Sequence, residues 1–380
     1  MASQTFSLID QATNTHAEPQ QWKNLGSAGA SMEFRRLQGG LSDGVDVLEI
    51  DNGAFRFAVL PTRGMGIWKA WSEGMELGWQ SPVPGPVHPK YVPLTEPSGL
   101  GWLDGFDELL CRCGLVNNGA PEFGENGQLV YPLHGQIANR PARKLDVHID
   151  GNEISVVGVV EEIRFHFAKL RLTTTVKTRF GESGIRIHDE IENLSASDAE
   201  VQMLYHINFG APFLNAGSEL RLPYKKLVPR NDWSAEGIGH WSTYTEPTAG
   251  MAERVYFFEP LGDVTGNSLA MLKNAKGDRG AVVRFNTKQL PCFSQWKNET
   301  SLADGYVTGL EPGTNFPNPR SFEGQHGRFA KLGPASMVAM DLAIETVDQG
   351  GVVAMEAEIE TLQAKANPDV SAKPTVDWCA

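Results

Sequence analysis

Apolar and polar side chains alternate with a period of two through much of the chain, a pattern that predicts strands. Residues 45–61, VDVLEIDNGAFRFAVLP, read as two such runs around Asp51-Asn52-Gly53, a strong hairpin signal. The same grammar recurs in VHIDGNEISVVGVV, which turns at Asp150-Gly151-Asn152, and in LRLTTTVKTRFGESGIRIHDEIENL, which turns between Gly181 and Gly184. A further strand over 200–209 extends this to a meander of roughly five strands or more, and closing strands follow around 336–345. Helical spacing stands out once. In GWLDGFDELL, Trp102, Leu103, Phe106, Leu109 and Leu110 fit one face of a helix of about two to three turns. The expected fold class is therefore all-β: a large antiparallel β sandwich with few short helices.

Two irregular stretches interrupt the strands. SPVPGPVHPKYVPLTEPSG (81–99) is so rich in proline that it must be an extended excursion, and long connections of this kind often rim a binding site. LEPGTNFPNPRSFEGQHGR (310–328) follows a short β-like run from Tyr306. No internal repeat or charged linker marks a boundary. The expected organisation is an N-terminal extension over 1–30, one sandwich domain over 31–365 and a C-terminal tail over 366–380.

The 380 residues carry 33 Lys plus Arg against 46 Asp plus Glu, a formal charge of −13, which repels phosphate backbones and anionic membrane surfaces. Nucleic acid and membrane partners are not expected. There is no apolar run of membrane-spanning length, and the N-terminus lacks the basic start and apolar stretch of a signal peptide, so a cytoplasmic location is expected. Cys111 and Cys113 form Cys-x-Cys, too little alone for a zinc site, while Cys292 and Cys379 stand apart; reduced, structural thiols are the plainer reading. No dinucleotide or phosphate-binding glycine loop, no His-Glu-x-x-His and no Gly-x-Ser-x-Gly is present.

What remains is a scattered set of polar residues in apolar settings. In MLYHINFGAPFL (203–214), Met203, Tyr205, Ile207 and Phe209 fall on one side with Val201; Leu204, His206 and Asn208 fall on the other with Gln202. One side reads as core and the other as a site, because a covered imidazole and carboxamide each cost about 1 to 3 kcal/mol unless bonded. His134 lies in YPLHGQIANRP, Glu311 at the end of GYVTGLEPG, Arg63 in LPTRGMGI and Trp296 in FSQWKN. Singly, each has a plain structural reading: a satisfied core histidine, a solvated turn carboxylate, a surface arginine, a core tryptophan. Together they supply what acid–base chemistry on a sugar needs, a carboxylate base, an imidazole acid, an aromatic face and donors for hydroxyls.

The ordered segments PLHG, LYHINFG and GLEPG resemble the galactose mutarotase (aldose 1-epimerase) superfamily. LPTRGMGI, GWQSPVPGPVHP, CGLVNNG, PLHGQIANRPA, LYHINFGAPFL, QWK and GLEP more closely resemble an aldose 1-epimerase-like group of unassigned function, over about residues 45–345. The resemblance implies a β supersandwich with a sugar cleft across one concave sheet. It implies Glu311 as general base, His206 as general acid and His134 near the ring oxygen, able to share the acid role. Arg63, Asn208, Trp296 and Lys297 are the expected sugar contacts, with no cofactor and no metal. Two alternatives stay open: a non-catalytic carbohydrate-binding or sensor protein, and a metal-assisted sugar isomerase or lyase using His134, His206 and Glu311.

Overall fold

The alternating runs of 144–193 form one antiparallel meander, Lys144–Asp150, Glu153–Ile163, Lys169–Arg179 and Gly184–Asn193, in a computed structural model that describes residues 3–26 and 29–380. Ile154, Val156, Val160, Leu170, Leu172 and Val176 all turn to one side and are buried, as period-two patterning demands. Met337–Asp348 pairs with Gly184–Asn193 and carries this sheet to ten strands, from Glu219–Arg221 at one edge to Thr15–His16 at the other.

A second sheet of fourteen strands packs against the first and contains the hairpin Asp46–Asp51 and Phe55–Leu60. Asn52 fixes that turn by accepting hydrogen bonds from the backbone N–H of Ala54 and Phe55. Four strands at its centre carry the candidate site: β1 (Leu110–Leu115), β2 (Ala199–Gly210), β3 (Cys292–Asn298) and β4 (Val307–Gly313), in spatial order β1-β2-β4-β3. Their inward faces join one large core cluster through Leu110, Met203, Tyr205, Ile207, Phe209, Phe293 and Leu310. An ion pair clips the sheets together through this core. Arg112 on β1 grips Asp189 at 2.5 and 3.0 Å, and the Tyr205 hydroxyl donates to the same carboxylate at 2.9 Å. Charges this deep persist only because the pair and its added hydrogen bonds replace water.

Several expectations change. The first 30 residues, expected as an extension, supply Gln4–Asp10 to the ten-stranded sheet and Gln20–Lys23 to the other. The expected helix over 101–110 is a 3-10 turn at Gly101–Gly105, after which Leu110 enters β1; glycines at both ends of the turn and a strand buried on both faces defeat the helical spacing. The longest helix instead spans Gln349–Gln363 and lays Val352, Ile359 and Leu362 on the ten-stranded sheet. The tail is docked: Asp369–Val370 pairs with Tyr224–Pro229, and Trp378 packs 4.7 Å from the Phe316 ring. Among the described residues no helix is long and apolar enough to cross a membrane.

Candidate functional site

The register of the four central strands builds the site. His206 on β2 lies opposite Cys111 on β1, and Ser294 on β3 lies opposite Glu311 on β4. Because Leu204 faces Gly313 and Ile207 faces Leu310, the same antiparallel register sets His206 opposite Glu311. One row across the sheet therefore reads Cys111, His206, Glu311, Ser294, all on the face turned away from the core. The adjacent row holds Asn208, Gly309 and Trp296. Gly309 makes room for the pair, since a Cβ would stand 2.4 Å from Glu311 Oε1 and 3.2 Å from His206 Cε1 and would push the carboxyl aside.

Asn208 orients the histidine. Its amide nitrogen donates to the carbonyls of Glu108 and His206, so its oxygen accepts from His206 Nδ1–H at 2.6 Å. That leaves His206 Nε2 without a proton, 3.2 Å from Glu311 Oε1 but not in hydrogen-bond geometry with it. His134 reaches the site from the loop beyond β1, in left-handed backbone at φ 56, an uncommon conformation for a non-glycine residue. Gly135 follows at φ 73, where a Cβ would collide with the carbonyl oxygens of Asn117 and Gly114. His134 Nδ1–H donates to the Asn118 carbonyl at 2.9 Å, and its ring centroid is 5.4 Å from that of His206.

Burial and neighbours set the charges. Desolvation, with the nearby His134 charge, holds His206 down to about 3, so this imidazole is neutral. Desolvation raises Glu311 to about 8 despite the opposing pull of His134. For His134, burial works against the charge, but Cys113 and the Asn118 carbonyl outweigh it and lift the ring to about 9. Cys113 is displaced the other way: burial raises its thiol, while Cys111 and His134 bring it down to about 6. The charged imidazole at neutral pH is thus His134.

Connections 81–107 cover the row. Phe106, Trp296 and Trp102 place their rings 5.0, 5.4 and 6.1 Å from His206, and Trp79 packs on Phe106 at 4.8 Å. Arg63, expected as a sugar contact, instead pins this cover. Its guanidinium donates to Glu108 at 2.5 Å, the Val87 carbonyl at 2.9 Å, Asn139 at 2.9 Å and the Gly105 carbonyl at 2.7 Å. Asn208 is likewise committed within the protein. Trp296 does lie on the site face, its indole N–H donating to Glu253 at 2.6 Å. Lys297 does not: one residue along the strand, it points into the core, where its ammonium donates to the Thr243 carbonyl at 2.6 Å and sits 3.4 Å from Glu299.

His134, His206 and Glu311 therefore come together, and Cys113, Ser294, Trp102 and Phe106 join them. The last four carry no distinct signal in the sequence, because only strand pairing and the folded cover bring them near. Among the described residues, no three His, Cys, Asp or Glu side chains are placed to hold a metal ion, the set of His134, His206 and Glu311 included. A groove of about 1090 Å³ opens on the outer face of the ten-stranded sheet, where His188 pairs with Asp341 and Arg284 with Glu358.

Residues 42–346 match the family described as a domain of unknown function, DUF4432. The chain belongs to the DUF4432 family. A crystal structure from Klebsiella pneumoniae subsp. pneumoniae MGH 78578, named a "putative aldose 1-epimerase", is 32% identical over 98% of this chain and 99% of its own, with a TM-score of 0.94. A galactose mutarotase-like protein from Clostridium acetobutylicum is 14% identical, over 83% of this chain and 98% of its own, with a TM-score of 0.55. An Escherichia coli K12 structure, also named a "putative aldose 1-epimerase", is 12% identical, over 80% of this chain and 100% of its own, at 0.53. The last two share the fold alone. No curated protein matches the chain. This DUF4432 member thus has the galactose mutarotase-like sandwich that its motifs resemble.

Proposed function

We propose that this DUF4432 protein is an aldose 1-epimerase-like enzyme that interconverts the anomers of a free sugar by acid–base ring opening. The observation that carries the reading is the transverse pair Glu311 and His206, with His134 beside it, on a sheet face walled by aromatic rings. Glu311, once ionised, takes the proton from the anomeric hydroxyl. The electrons of that O–H bond form the aldehyde C=O, the bond from C1 to the ring oxygen breaks, and the His134 imidazolium gives that oxygen its proton. Rotation about C1–C2 and the reverse transfers close the ring as the other anomer. Each group returns to its starting state, so no cofactor enters.

In this scheme the acid role expected of His206 passes to His134, expected to share it. His206, held down to about 3, is neutral and has no spare proton to give; His134 holds a proton at neutral pH and suits the donating side. Polarimetry on freshly dissolved single anomers of common aldoses, with and without the protein, tests the activity. Acceleration of mutarotation above the spontaneous rate is expected, and its absence across the panel overturns the proposal.

A further inference from the structure

Three buried polar atoms around the reacting pair have no hydrogen-bond partner: Trp102 Nε1, Ser294 Oγ and Glu311 Oε1. Their residues are 1%, 0% and 2% exposed. A single orphan costs about 1 to 3 kcal/mol, and folded proteins rarely tolerate several in one place. Ser294 is the cross-strand neighbour of Glu311, so their Cβ atoms lie about 4.5 to 5.5 Å apart on the same face. Trp102 overhangs the other end of the row, its ring 4.6 Å from that of His134. While other unsatisfied groups, Gln295 Oε1 and Tyr256 Oη among them, lie in the core, these three flank the acid and base.

Their chemistry restricts what satisfies them. An indole N–H only donates and needs an acceptor oxygen; a serine hydroxyl donates or accepts; a sugar hydroxyl answers both. An anionic group would need a free cation, and those nearby are engaged. Arg63 is spent on the cover, Lys297 points into the core, and Arg230 pairs at 3.0 Å with Glu253, whose other oxygen takes the Trp296 indole. The charge on His134 is matched by Cys113. The remaining walls, Trp79, Phe106, Leu204 and Val307, are apolar and buried. A phosphate or carboxylate moved into such a place would lose its hydration without a partner.

We infer that the site takes an uncharged sugar, and that Ser294 and the Trp102 indole N–H each bind one of its hydroxyls. The inference rests on reading this face as a sugar site, but it concerns binding and stands apart from the anomer exchange. Trp102→Phe removes the N–H and keeps most of the ring; Ser294→Ala removes the hydroxyl with little change in volume. Titration calorimetry measures binding of D-glucose, D-galactose, D-mannose and L-arabinose, and of D-glucose 6-phosphate and D-glucuronate. Exchange NMR measures turnover of whichever bind, and thermal melting confirms that the variants stay folded.

The expected result is binding of at least one neutral sugar, at least about 10-fold tighter than either anion. Each variant should weaken that binding about 10-fold, the loss of about one hydrogen bond. Tighter binding of an anion, no binding of any neutral sugar, or an unchanged Kd in both variants overturns the inference. Weakened variants of a protein that binds sugars without exchanging anomers would uphold this inference and remove the epimerase proposal. Exchange that persists with unchanged KM in both variants would do the reverse.

Discussion

His206 Nε2 and Glu311 Oε1 stand 3.2 Å apart at the centre of the fourteen-stranded sheet, close enough for an ion pair but not arranged as one. Glu311 Oε1 lacks hydrogen-bond geometry to any partner, and burial drives both groups toward their neutral forms. On the proposed reading, the contact is a poised pair that a substrate completes.

A stability consequence follows from Glu311. Its folded pKa is raised above the unfolded value, so its contribution is fully present below the unfolded value and is lost as pH rises through about 8. Glu311→Gln stays neutral throughout. At pH 4, where the carboxyl is protonated in both states, the variant should melt close to the native protein, and at pH 9.5 it should melt a few degrees higher. Calorimetric melting at the two pH values checks this; equal melting of both proteins at pH 9.5 would show that the carboxyl is not held neutral.

The same groups set the pH dependence of kcat/KM. The base form of Glu311 appears as pH rises through about 8, and the acid form of His134 disappears above about 9, so the profile should be a narrow alkaline bell. His134→Gln should remove the limb above about 9, whereas His206→Gln should slow the reaction and leave that limb in place. A limb that vanishes in His206→Gln instead returns the acid role to His206.

Arg63 should act on stability rather than on substrate affinity. Arg63→Met leaves the buried Glu108 carboxylate without its partner, at a cost of about 3 to 5 kcal/mol, and frees the cover at Val87 and Gly105. Lower melting temperature and faster limited proteolysis within 81–105 are expected. A variant with native melting and a raised KM would restore Arg63 as a sugar contact.

The meander over 144–193 was legible because one wet face preserves strict alternation. β1, LCRCGL, is buried along its whole length, so period two disappears and a helical spacing across its start looked equally good. The helix Gln349–Gln363 opens on two glycines and buries only a thin stripe, which leaves little helical signal. At the site, parity alone separated the two faces of β2 correctly. It also forbids Trp296 and Lys297 from sharing a face, a consequence the motif resemblance obscured. Arg63 and Asn208 were placed near the site but not in their roles, because hydrogen-bond partners such as the Gly105 and Glu108 carbonyls exist only once the cover has folded. Ser294 and Cys113 enter through register between strands distant in sequence, which no local pattern encodes.

Exchange NMR of the α and β anomers of an aldose, comparing native protein with Glu311→Gln, tests the central proposal most directly. Glutamine preserves the size and the neutral state of the buried carboxyl but cannot accept the anomeric proton, so fold and sugar binding should persist. Protein-dependent exchange with the native protein and a loss of at least about 100-fold in the variant are expected. Exchange at the native rate in folded Glu311→Gln would contradict the proposal.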